Sequence, residues 1–398
     1  MSRRSRRLLA TAAVGLLLGN VVAAVTRGIW NMAAGGANDW VVFAAAGRLL
    51  AKGSRCLYCA SQLAASETNL LGHPVPWGTG TLASGTVNYL PFLNPPSVAF
   101  VIAPLAVLPA TLGFALFVAL SMAAIAVAYR VLTGPLGCPP LPTFFAVFAV
   151  PGILSLALGQ WAAILTLALV LALWALRPRP ILAGLALSVL LIKPQYLWLV
   201  PVALVVTRKW RVLLGLAIGA AVIAFSSLAL VGPGEVHAWI SVSLTAGGEQ
   251  MAATFGLPGL AAGAFGTDAG YITMGAAAAL AVGAALRWRR ELRARPELAV
   301  ATFVCLSLVL SPHVLVQDCL LLAPAVALAA RTRPRLAVAV ALLLSVAFLG
   351  DLGVGTIDAR IGFLAVAIVT LVPLMALVRG DLSPDPPAPA AASLALTT

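Results

Sequence analysis

The chain has 398 residues, of which 62% are hydrophobic and only 9% are charged. A soluble domain carries about 25% charged residues, so this composition excludes an ordinary soluble protein and indicates an integral membrane protein. The net charge of +13 is also typical of nucleic-acid-binding proteins, but in a membrane protein the positions of the arginines explain it better. Five cysteines are too few for a disulfide scaffold, although Cys56 and Cys59 could pair in an extracytoplasmic loop.

Apolar runs recur almost to the C-terminus and leave no stretch long enough for a separate soluble domain. They predict an all-α, polytopic transmembrane bundle of about twelve spans. Several runs are shorter than the ~20 residues that a simple span requires, so we expect short or broken helices buried among longer ones. The predicted spans lie at about residues 8–26, 110–132, 142–158, 160–176, 180–192, 194–207, 211–231, 271–287, 297–311, 314–330, 335–350 and 357–378.

The chain is predicted to form one membrane domain over residues 1–380, followed by a tail over residues 381–398. The tail is rich in Pro and Ala, and we expect it to be disordered in the cytoplasm. The start, MSRRSRRLL, is basic and precedes an apolar run, as in a signal peptide. Because many spans follow, we favour an uncleaved first span.

The basic residues predict the topology, because cytoplasmic loops of membrane proteins are enriched in Lys and Arg. With the N-terminus inside, 19 of the 25 basic residues fall on the cytoplasmic side, and both termini lie there. The stretches NDW, NYLPFLNPP, LGQW, IKPQY, SPHVLVQD and GDLGVGTIDAR all map to the outer side, as do two long loops at residues 27–109 and 232–270. We therefore predict a multi-pass plasma-membrane protein whose working surface is extracytoplasmic (periplasmic), where nucleotide sugars are absent.

Asp39 precedes the run WVVFAAAGRLL, whose large apolar residues recur at helical spacing. With Arg48 on another side, this pattern predicts an interfacial helix lying on the outer leaflet. The simplest interpretation is that Asn38 or Asp39 caps the helix. On the local pattern alone, capping is favoured over a catalytic role for Asp39.

Four further ionisable residues are candidates for the site. Lys193 precedes a helix-breaking proline, where it is either a functional residue or a lysine that reaches to the membrane surface. His313 and Asp318 are close enough in sequence to lie within two helical turns, although a lone His is more often structural and Asp318 suits a first helical turn. Arg360 lies in an outer loop and is either solvated or a phosphate ligand. Three His residues provide no visible metal-ligand set, and we expect no metal and no cofactor.

Five segments in order resemble glycosyltransferase family 87, whose members include polyprenyl-phosphate-mannose-dependent mannosyltransferases. They are NDWVVFAAAGRLLAKGSRCLY, YLPFLNPPSVAFVIAPLAVLP, LALGQWAAILTLAL, GLALSVLLIKPQYLWLVPVAL and SPHVLVQDCLLLAPA, and they cover about residues 38 to 330. The resemblance implies a GT-C fold with helices in outer loops, a polyprenyl-phosphate sugar donor and no nucleotide. One departure is Cys59, which stands after Tyr58 where the family often has an aspartate.

The resemblance implies that Asp39 and His313 are catalytic, one of them as the base that deprotonates the acceptor hydroxyl. It also matches Lys193 and Gln195 to a Lys-Pro-Gln motif, and Gln160 to a Gly-Gln motif. We hypothesise inverting displacement, with positive side chains stabilising the leaving phosphate. The candidate donor-phosphate and substrate-binding residues are Arg48, Lys193, Gln195, Gln160, Tyr89, Asp318 and Arg360.

The expected partners are a polyprenyl-phosphate sugar donor, a glycolipid or glycan acceptor and membrane lipids, and nucleic acid is not among them. Mannose is the leading sugar, and arabinofuranose from polyprenyl-phosphate-arabinose is the alternative within the same family. A lipid or sugar transporter, or a flippase, is the alternative from another class, because broken helices with polar residues also occur there. Against transport, the polar residues gather at the outer rim and no inverted repeat is visible.

Overall fold

A computed structural model describes residues 3–76, 80–81, 88–347, 366–371 and 373. Asp351, Asp358, Arg360 and the predicted tail at 381–398 lie outside the described residues. The α-helices are α1 Arg3–Ala33, α2 Trp40–Ala51, α3 Ala60–Leu71, α4 Pro96–Ala106, α5 Ala110–Thr133, α6 Pro140–Val147, α7 Val150–Leu158, α8 Ala162–Ala175, α9 Pro180–Ser188, α10 Val200–Val206, α11 Trp210–Val231, α12 Pro233–Gln250, α13 Leu257–Phe265, α14 Thr267–Arg287, α15 Arg289–Ala294, α16 Pro296–Val309, α17 Ala323–Ala329 and α18 Pro334–Ala347.

Short 3-10 helices and one strand pair complete the described elements. The 3-10 helices are Val189–Ile192, Pro194–Tyr196, Met251–Ala253 and Val316–Leu322. Strands β1 Gly80–Thr81 and β2 Asn88–Tyr89 pair antiparallel, with Gly80 opposite Tyr89. The prediction of an α-helical protein is confirmed, apart from this two-residue pairing.

Proline in the first turn marks the start of α4, α9, α12 and α16. Proline suits this position because the first backbone N–H groups of a helix have no partner inside the helix. These prolines divide the apolar sequence into many short helices. The prediction of short helices buried among longer ones is therefore confirmed.

Four described helical segments are long and apolar enough to cross a membrane. They are Thr11–Ala33, Ala110–Thr133, Trp210–Val231 and Thr267–Arg287. Helices α6 and α7, which are bent by 44° at their junction, make a fifth crossing if they form one broken span. The prediction of about twelve spans is not confirmed, because most of the other predicted spans are apolar helices of 10–17 residues.

The core lies around α8 and α16, whose residues are buried on nearly every side. Helix α8 contacts α5, α9, α16, α17 and the 3-10 helix Val316–Leu322. A helix that is apolar all round is expected in such a central position.

Helix α2 forms where the sequence predicted it, but it does not lie on the surface. Its residues from Trp40 to Gly47 are all buried, and it packs against α3, α4 and α5. Gly47 lies so close to α4 that an added Cβ would stand 2.7 Å from the Ile102 side chain. Helix α2 is therefore enclosed by α3, α4 and α5, and its position relative to the membrane surface stays a prediction.

Helices α9 and α11 make the most extensive helix contact through glycines. Gly184 packs against the backbone of α11 at Val212, and Gly215 packs against the carbonyl of Ile181. A second glycine, Gly219, follows one turn after Gly215 and packs on Ser188. Small residues four positions apart allow two helix backbones to approach closely within a membrane.

We expect Gly215→Leu to destabilise the protein by about 1–3 kcal/mol or more, because the new side chain must separate α11 from α9. Gly275→Leu is the matched control, since an added Cβ on Gly275 in α14 meets no atom within 4 Å. The measurement is the thermal unfolding midpoint of both variants in the same detergent. Equal midpoints for the two variants would contradict this close packing.

Candidate functional site

Asp39 lies at the start of α2, and its carboxylate contacts a side chain from a distant part of the chain. Gln160 donates a hydrogen bond of 2.6 Å from its Nε2 to Oδ2 of Asp39. The helix end is satisfied by the neighbouring residue instead, because the Asn38 side chain accepts the N–H of Trp40 at 3.2 Å. Asp39 makes no side-chain capping bond. Capping therefore falls to Asn38, and the Asp39 carboxylate is left for other chemistry.

The turn between α7 and α8 brings Gln160 to Asp39. Gly159 ends α7 with a φ of 71°, a left-handed conformation that glycine adopts without strain. An added Cβ there would stand 2.9 Å from Cβ of Trp40 and 3.0 Å from the Phe114 ring. Glycine thus allows both the reversal of the chain and its close approach to the start of α2.

Lys193 and Asp318 form a buried ion pair on the same side of the core. The Lys193 Nζ lies 2.8 Å from Oδ1 of Asp318, whose side chain is fully buried. The other oxygen of Asp318 accepts the N–H of Leu315 at 3.0 Å. Lys193 itself sits between two 3-10 helices, because Pro194 disfavours helical geometry in the residue before it. The Nζ also lies 5.6 Å from the centre of the buried Tyr196 ring.

His313 is held in the turn that precedes the 3-10 helix Val316–Leu322. The Ser311 hydroxyl accepts the N–H of His313 at 3.0 Å and donates to the His313 carbonyl at 2.8 Å. Val314 fixes the turn to the segment after α12 by accepting the N–H of Phe255. Within the described part of the chain, the buried Nδ1 of His313 has no hydrogen-bond partner.

The electrostatics of these groups show that they belong to one cluster. Burial raises the pKa of Asp39 above its usual value, while the Gln160 hydrogen bond and the charge on Lys193 lower it and Asp318 raises it. Burial lowers the pKa of His313 to about 4, and Lys193 acts in the same direction while Asp318 opposes it. Both groups therefore lie within electrostatic range of the same ion pair. His313 is neutral near pH 7.

Arg48, a predicted phosphate ligand, lies elsewhere and has a structural role. It donates hydrogen bonds to the carbonyls of Ala106 at 2.7 Å and Leu108 at 2.9 Å, at the C-terminus of α4. Nine helical residues separate it from Asp39, which is about 13 Å along the axis of α2. A cation is favourable at a helix C-terminus. Arg48 is therefore not part of the cluster around Asp39.

The remaining predicted site residues do not join the cluster by any described contact. Tyr89 lies in β2, where burial raises its pKa and the charges of Glu67 and Glu249 act in the same direction. Gln195 is half-buried in the 3-10 helix that follows Lys193. Arg360 lies outside the described residues.

Glu67 is a buried acid to which the sequence analysis gave no site role. Both of its carboxylate oxygens accept the N–H of Leu90, at 3.1 and 3.3 Å. Burial raises the pKa of Glu67 to about 8. Its place within a polar helix of the long outer loop gave no signal that it would be buried.

Cys56 and Cys59 are joined by a disulfide bond, and the described residues place Glu235 beside them. Three residues of metal-binding types thus meet in one place, but the two sulfur atoms are already bonded to each other. Metals bind the thiolate form of cysteine. The group is therefore not a metal site in this oxidised state.

The family profile described as glycosyltransferase family 87 matches residues 92–312 of the chain. The match includes Gln160 and Lys193, whereas Asp39, His313 and Asp318 lie outside it. No curated protein matches the chain significantly. No solved structure matches it either.

Proposed function

Since the chain belongs to glycosyltransferase family 87, we propose that it transfers mannose from a polyprenyl-phosphate donor to an extracytoplasmic glycolipid or polysaccharide acceptor. Family membership and the apolar helices establish a membrane glycosyltransferase. The donor, the sugar, the acceptor and the GT-C architecture belong to the proposal. The choice of mannose rests on the resemblance of the sequence motifs.

The observation that carries this proposal is that Asp39, held by Gln160, lies within electrostatic range of the Lys193–Asp318 pair. A carboxylate is a stronger base when burial raises its pKa, and a cation within electrostatic range can stabilise a developing negative charge. In glycosyl transfer from a lipid phosphate, the base acts on the acceptor hydroxyl and the cation acts on the leaving phosphate, so the two groups must lie near each other. Perturbed ionisable groups that converge in this way are typical of active sites.

In the proposed reaction, Asp39 removes the proton from an acceptor hydroxyl as the hydroxyl oxygen attacks the anomeric carbon of the sugar. The bond from that carbon to the donor phosphate breaks, and polyprenyl phosphate leaves with the electron pair. A single displacement inverts the configuration at the anomeric carbon. The hydrogen bond from Gln160 orients the carboxylate of Asp39 for this step.

Lys193 and His313 are proposed to hold the phosphate of the donor. The Lys193 ammonium stabilises the charge that develops on the leaving group, while Asp318 fixes its position. Since phosphate is already a good leaving group, no strong acid is required. Neutral His313, with its unpartnered Nδ1 among the described residues, supplies a hydrogen bond rather than a charge.

Contacts between distant loops support the proposed outer location of this cluster. Arg177 pairs with Glu297, and Arg331 donates to the carbonyl of Leu136. These four residues lie on the cytoplasmic side in the topology predicted from the arginines. The cluster of Asp39, Gln160, Lys193, His313 and Asp318 falls wholly on the opposite side in that topology. The disulfide falls on that side too, where oxidising conditions favour it.

The test is sugar transfer by the purified protein in detergent, with labelled polyprenyl-phosphate-mannose and polyprenyl-phosphate-arabinose supplied separately and a glycolipid extract as acceptor. We expect a mannosylated product of inverted anomeric configuration. Transfer of arabinose alone would replace the proposed sugar. A folded protein that transfers neither sugar, but moves lipid or sugar across sealed vesicles, would overturn the proposal in favour of a transporter.

We expect Gln160→Leu to move the acidic limb of the kcat/KM profile to higher pH. The hydrogen bond from Gln160 lowers the pKa of Asp39, so its removal raises that pKa. Because the base must be deprotonated, the rate then falls at a higher pH than in the unaltered protein. Gln62→Leu is the control, since the exposed Gln62 side chain bonds only Ser54 among the described contacts. An acidic limb that stays in place or moves to lower pH would contradict the assignment of Asp39 as the base.

A further inference from the structure

Tyr58 connects two segments of the outer loops through its backbone and its side chain. Its N–H donates to the carboxylate of Glu235 in α12 at 3.2 Å. Its hydroxyl donates to the carbonyl of Asn94 at 2.5 Å, and its ring lies 5.7 Å from that of Phe92. Tyr58 thus holds the segment before α4 from one side.

Asn94 continues this connection to the residue that precedes Lys193. The Nδ2 of Asn94 donates to the carbonyl of Ile192 at 2.9 Å, across 98 positions of sequence. The Ile192 carbonyl belongs to the same rigid peptide plane as the N–H of Lys193. Asn94 is 5% exposed, so water does not compete freely for this bond. The hydrogen bond therefore fixes the direction in which the chain enters Lys193.

Helix α12 holds the same segment from the other side. The Trp239 indole N–H donates to the carbonyl of Leu93 at 3.0 Å, and the Ser243 hydroxyl donates to that carbonyl at 3.3 Å. Leu93 precedes Asn94 directly. The position of Asn94 is thus determined by contacts on both of its sides.

The disulfide between Cys56 and Cys59 closes a small loop that contains Tyr58. Cys59 is also the residue before the first turn of α3, so the loop is anchored to a helix. A covalent loop of this size restricts the backbone of Tyr58 and orders its side chain. The proposed reaction itself does not involve Cys56 or Cys59.

We propose that Tyr58 and Asn94 are positioning residues for Lys193, and that the Cys56–Cys59 disulfide holds Tyr58 in place for this task. The inference rests on the proposed role of Lys193 as a ligand of the donor phosphate. The connection runs from the disulfide through the Tyr58 hydroxyl to Asn94, and from Asn94 through the Ile192 carbonyl to Lys193. Each step is a covalent bond or a direct hydrogen bond.

The test measures binding of a polyprenyl phosphate to the purified full chain in detergent, which requires neither sugar nor turnover. We expect Tyr58→Phe and Asn94→Leu each to weaken binding about five- to tenfold, which is the net worth of one hydrogen bond. Tyr129→Phe is the matched control, because the Tyr129 hydroxyl also donates to a backbone carbonyl, that of Pro140, in a different loop. The control should bind as the unaltered protein does.

A double variant separates positioning from general damage to the fold. In a Lys193→Met background, Tyr58→Phe should cause less than about a twofold further loss of binding, because the group that it positions is already gone. A full five- to tenfold loss in that background would overturn the inference. The inference is also overturned if Tyr58→Phe and Asn94→Leu bind polyprenyl phosphate as tightly as the unaltered protein does.

Reduction of the disulfide tests the remaining step of the connection. Dithiothreitol is oxidised to its cyclic disulfide as Cys56 and Cys59 become thiols, which thiol labelling verifies. We expect binding to weaken in the unaltered protein, to recover on reoxidation, and to change little in Tyr58→Phe. If binding is unchanged after verified reduction, the disulfide does not hold Tyr58 in the position that Lys193 requires.

The same measurement distinguishes failure of this inference from failure of the proposed function. If Lys193→Met by itself binds polyprenyl phosphate as tightly as the unaltered protein, the proposed donor site is wrong. If the double variant Lys193→Met with Asp318→Asn weakens binding but Tyr58→Phe and Asn94→Leu do not, only the positioning roles are wrong.

Discussion

Asp39→Asn is expected to lower kcat/KM for sugar transfer by about 10²- to 10⁴-fold, which is the usual contribution of a general base. The asparagine amide cannot take a proton from the acceptor hydroxyl. Its oxygen can still accept the hydrogen bond that Gln160 donates to Asp39, so the local geometry is preserved. The measurement is the steady-state rate with the donor that the unaltered protein uses.

The same substitution is expected to leave the thermal unfolding midpoint unchanged or to raise it at neutral pH. The pKa of Asp39 is higher in the folded protein than in the unfolded chain. Folding therefore becomes less favourable as the pH rises from the unfolded-state pKa through the folded-state pKa. A neutral side chain does not carry this penalty. Loss of activity together with retained or increased stability is the pattern expected of a catalytic group.

Asp268→Asn is the matched control, because Asp268 is an exposed acid in the first turn of α14 and lies in the same predicted outer region. Its rate should stay close to that of the unaltered protein. An Asp39→Asn variant that folds and keeps full turnover would exclude Asp39 as the base. His313 would then be the remaining candidate from the sequence, although burial lowers its pKa to about 4.

The sequence pattern pointed to Lys193, His313 and Asp318 because they are ionisable residues among apolar runs, whereas Gln160 and the catalytic role of Asp39 came only from the family resemblance. Lys193 and Asp318 could each be singled out as charges among hydrophobic residues, and the structure pairs them. The pairing itself was not predictable, since 125 positions separate the two residues. Which of Asn38 and Asp39 caps α2 was equally open, because both side chains suit a helix start.

Arg48 shows why sequence spacing misleads within a buried loop. The basic residue looked available for phosphate because nothing in the sequence marks where the carbonyls at the end of α4 come to lie. The fold packs α4 against α2, and Arg48 then satisfies two of those carbonyls. Helix ends must find such partners, and only the tertiary fold determines which side chain supplies them.

The number of spans could not be read from hydropathy for a related reason. A hydrophobic run of 13 or 14 residues, such as Pro180–Ile192 or Pro296–Val309, is buried equally well by lipid and by other helices. The arginines predict which side a turn faces, but they do not predict how deeply a short helix lies. Burial around α8 resolves this for the central helices.

Lys193→Met is expected to cost about 3–5 kcal/mol of stability and to abolish detectable sugar transfer. The first effect follows because removal of one partner leaves the fully buried Asp318 carboxylate without its counter-ion. The second follows from the proposed contact of Lys193 with the donor phosphate. The single variant therefore cannot separate a structural role from a catalytic one.

The double variant Lys193→Met with Asp318→Asn separates these two roles. Asparagine is uncharged and can still accept the N–H of Leu315 that Asp318 accepts, so most of the lost stability should return. Sugar transfer should not return, since no cation remains to stabilise the leaving phosphate. The measurements are the unfolding midpoint and the transfer rate of the single and double variants. Recovery of both in the double variant would show that Lys193 only supports the fold.

A second ion pair, Arg177–Glu297, provides the control for this experiment. Arg177→Met with Glu297→Gln removes a pair on the predicted cytoplasmic side, where the Arg177 side chain is 38% exposed. Neither residue belongs to the cluster around Asp39, so Arg177→Met and the double variant with Glu297→Gln should keep their activity whatever their unfolding midpoints. We expect transfer to be lost in both Lys193 variants, including the one in which stability returns, and to be kept when Arg177 is removed. This combination would identify Lys193 as the group that acts on the donor.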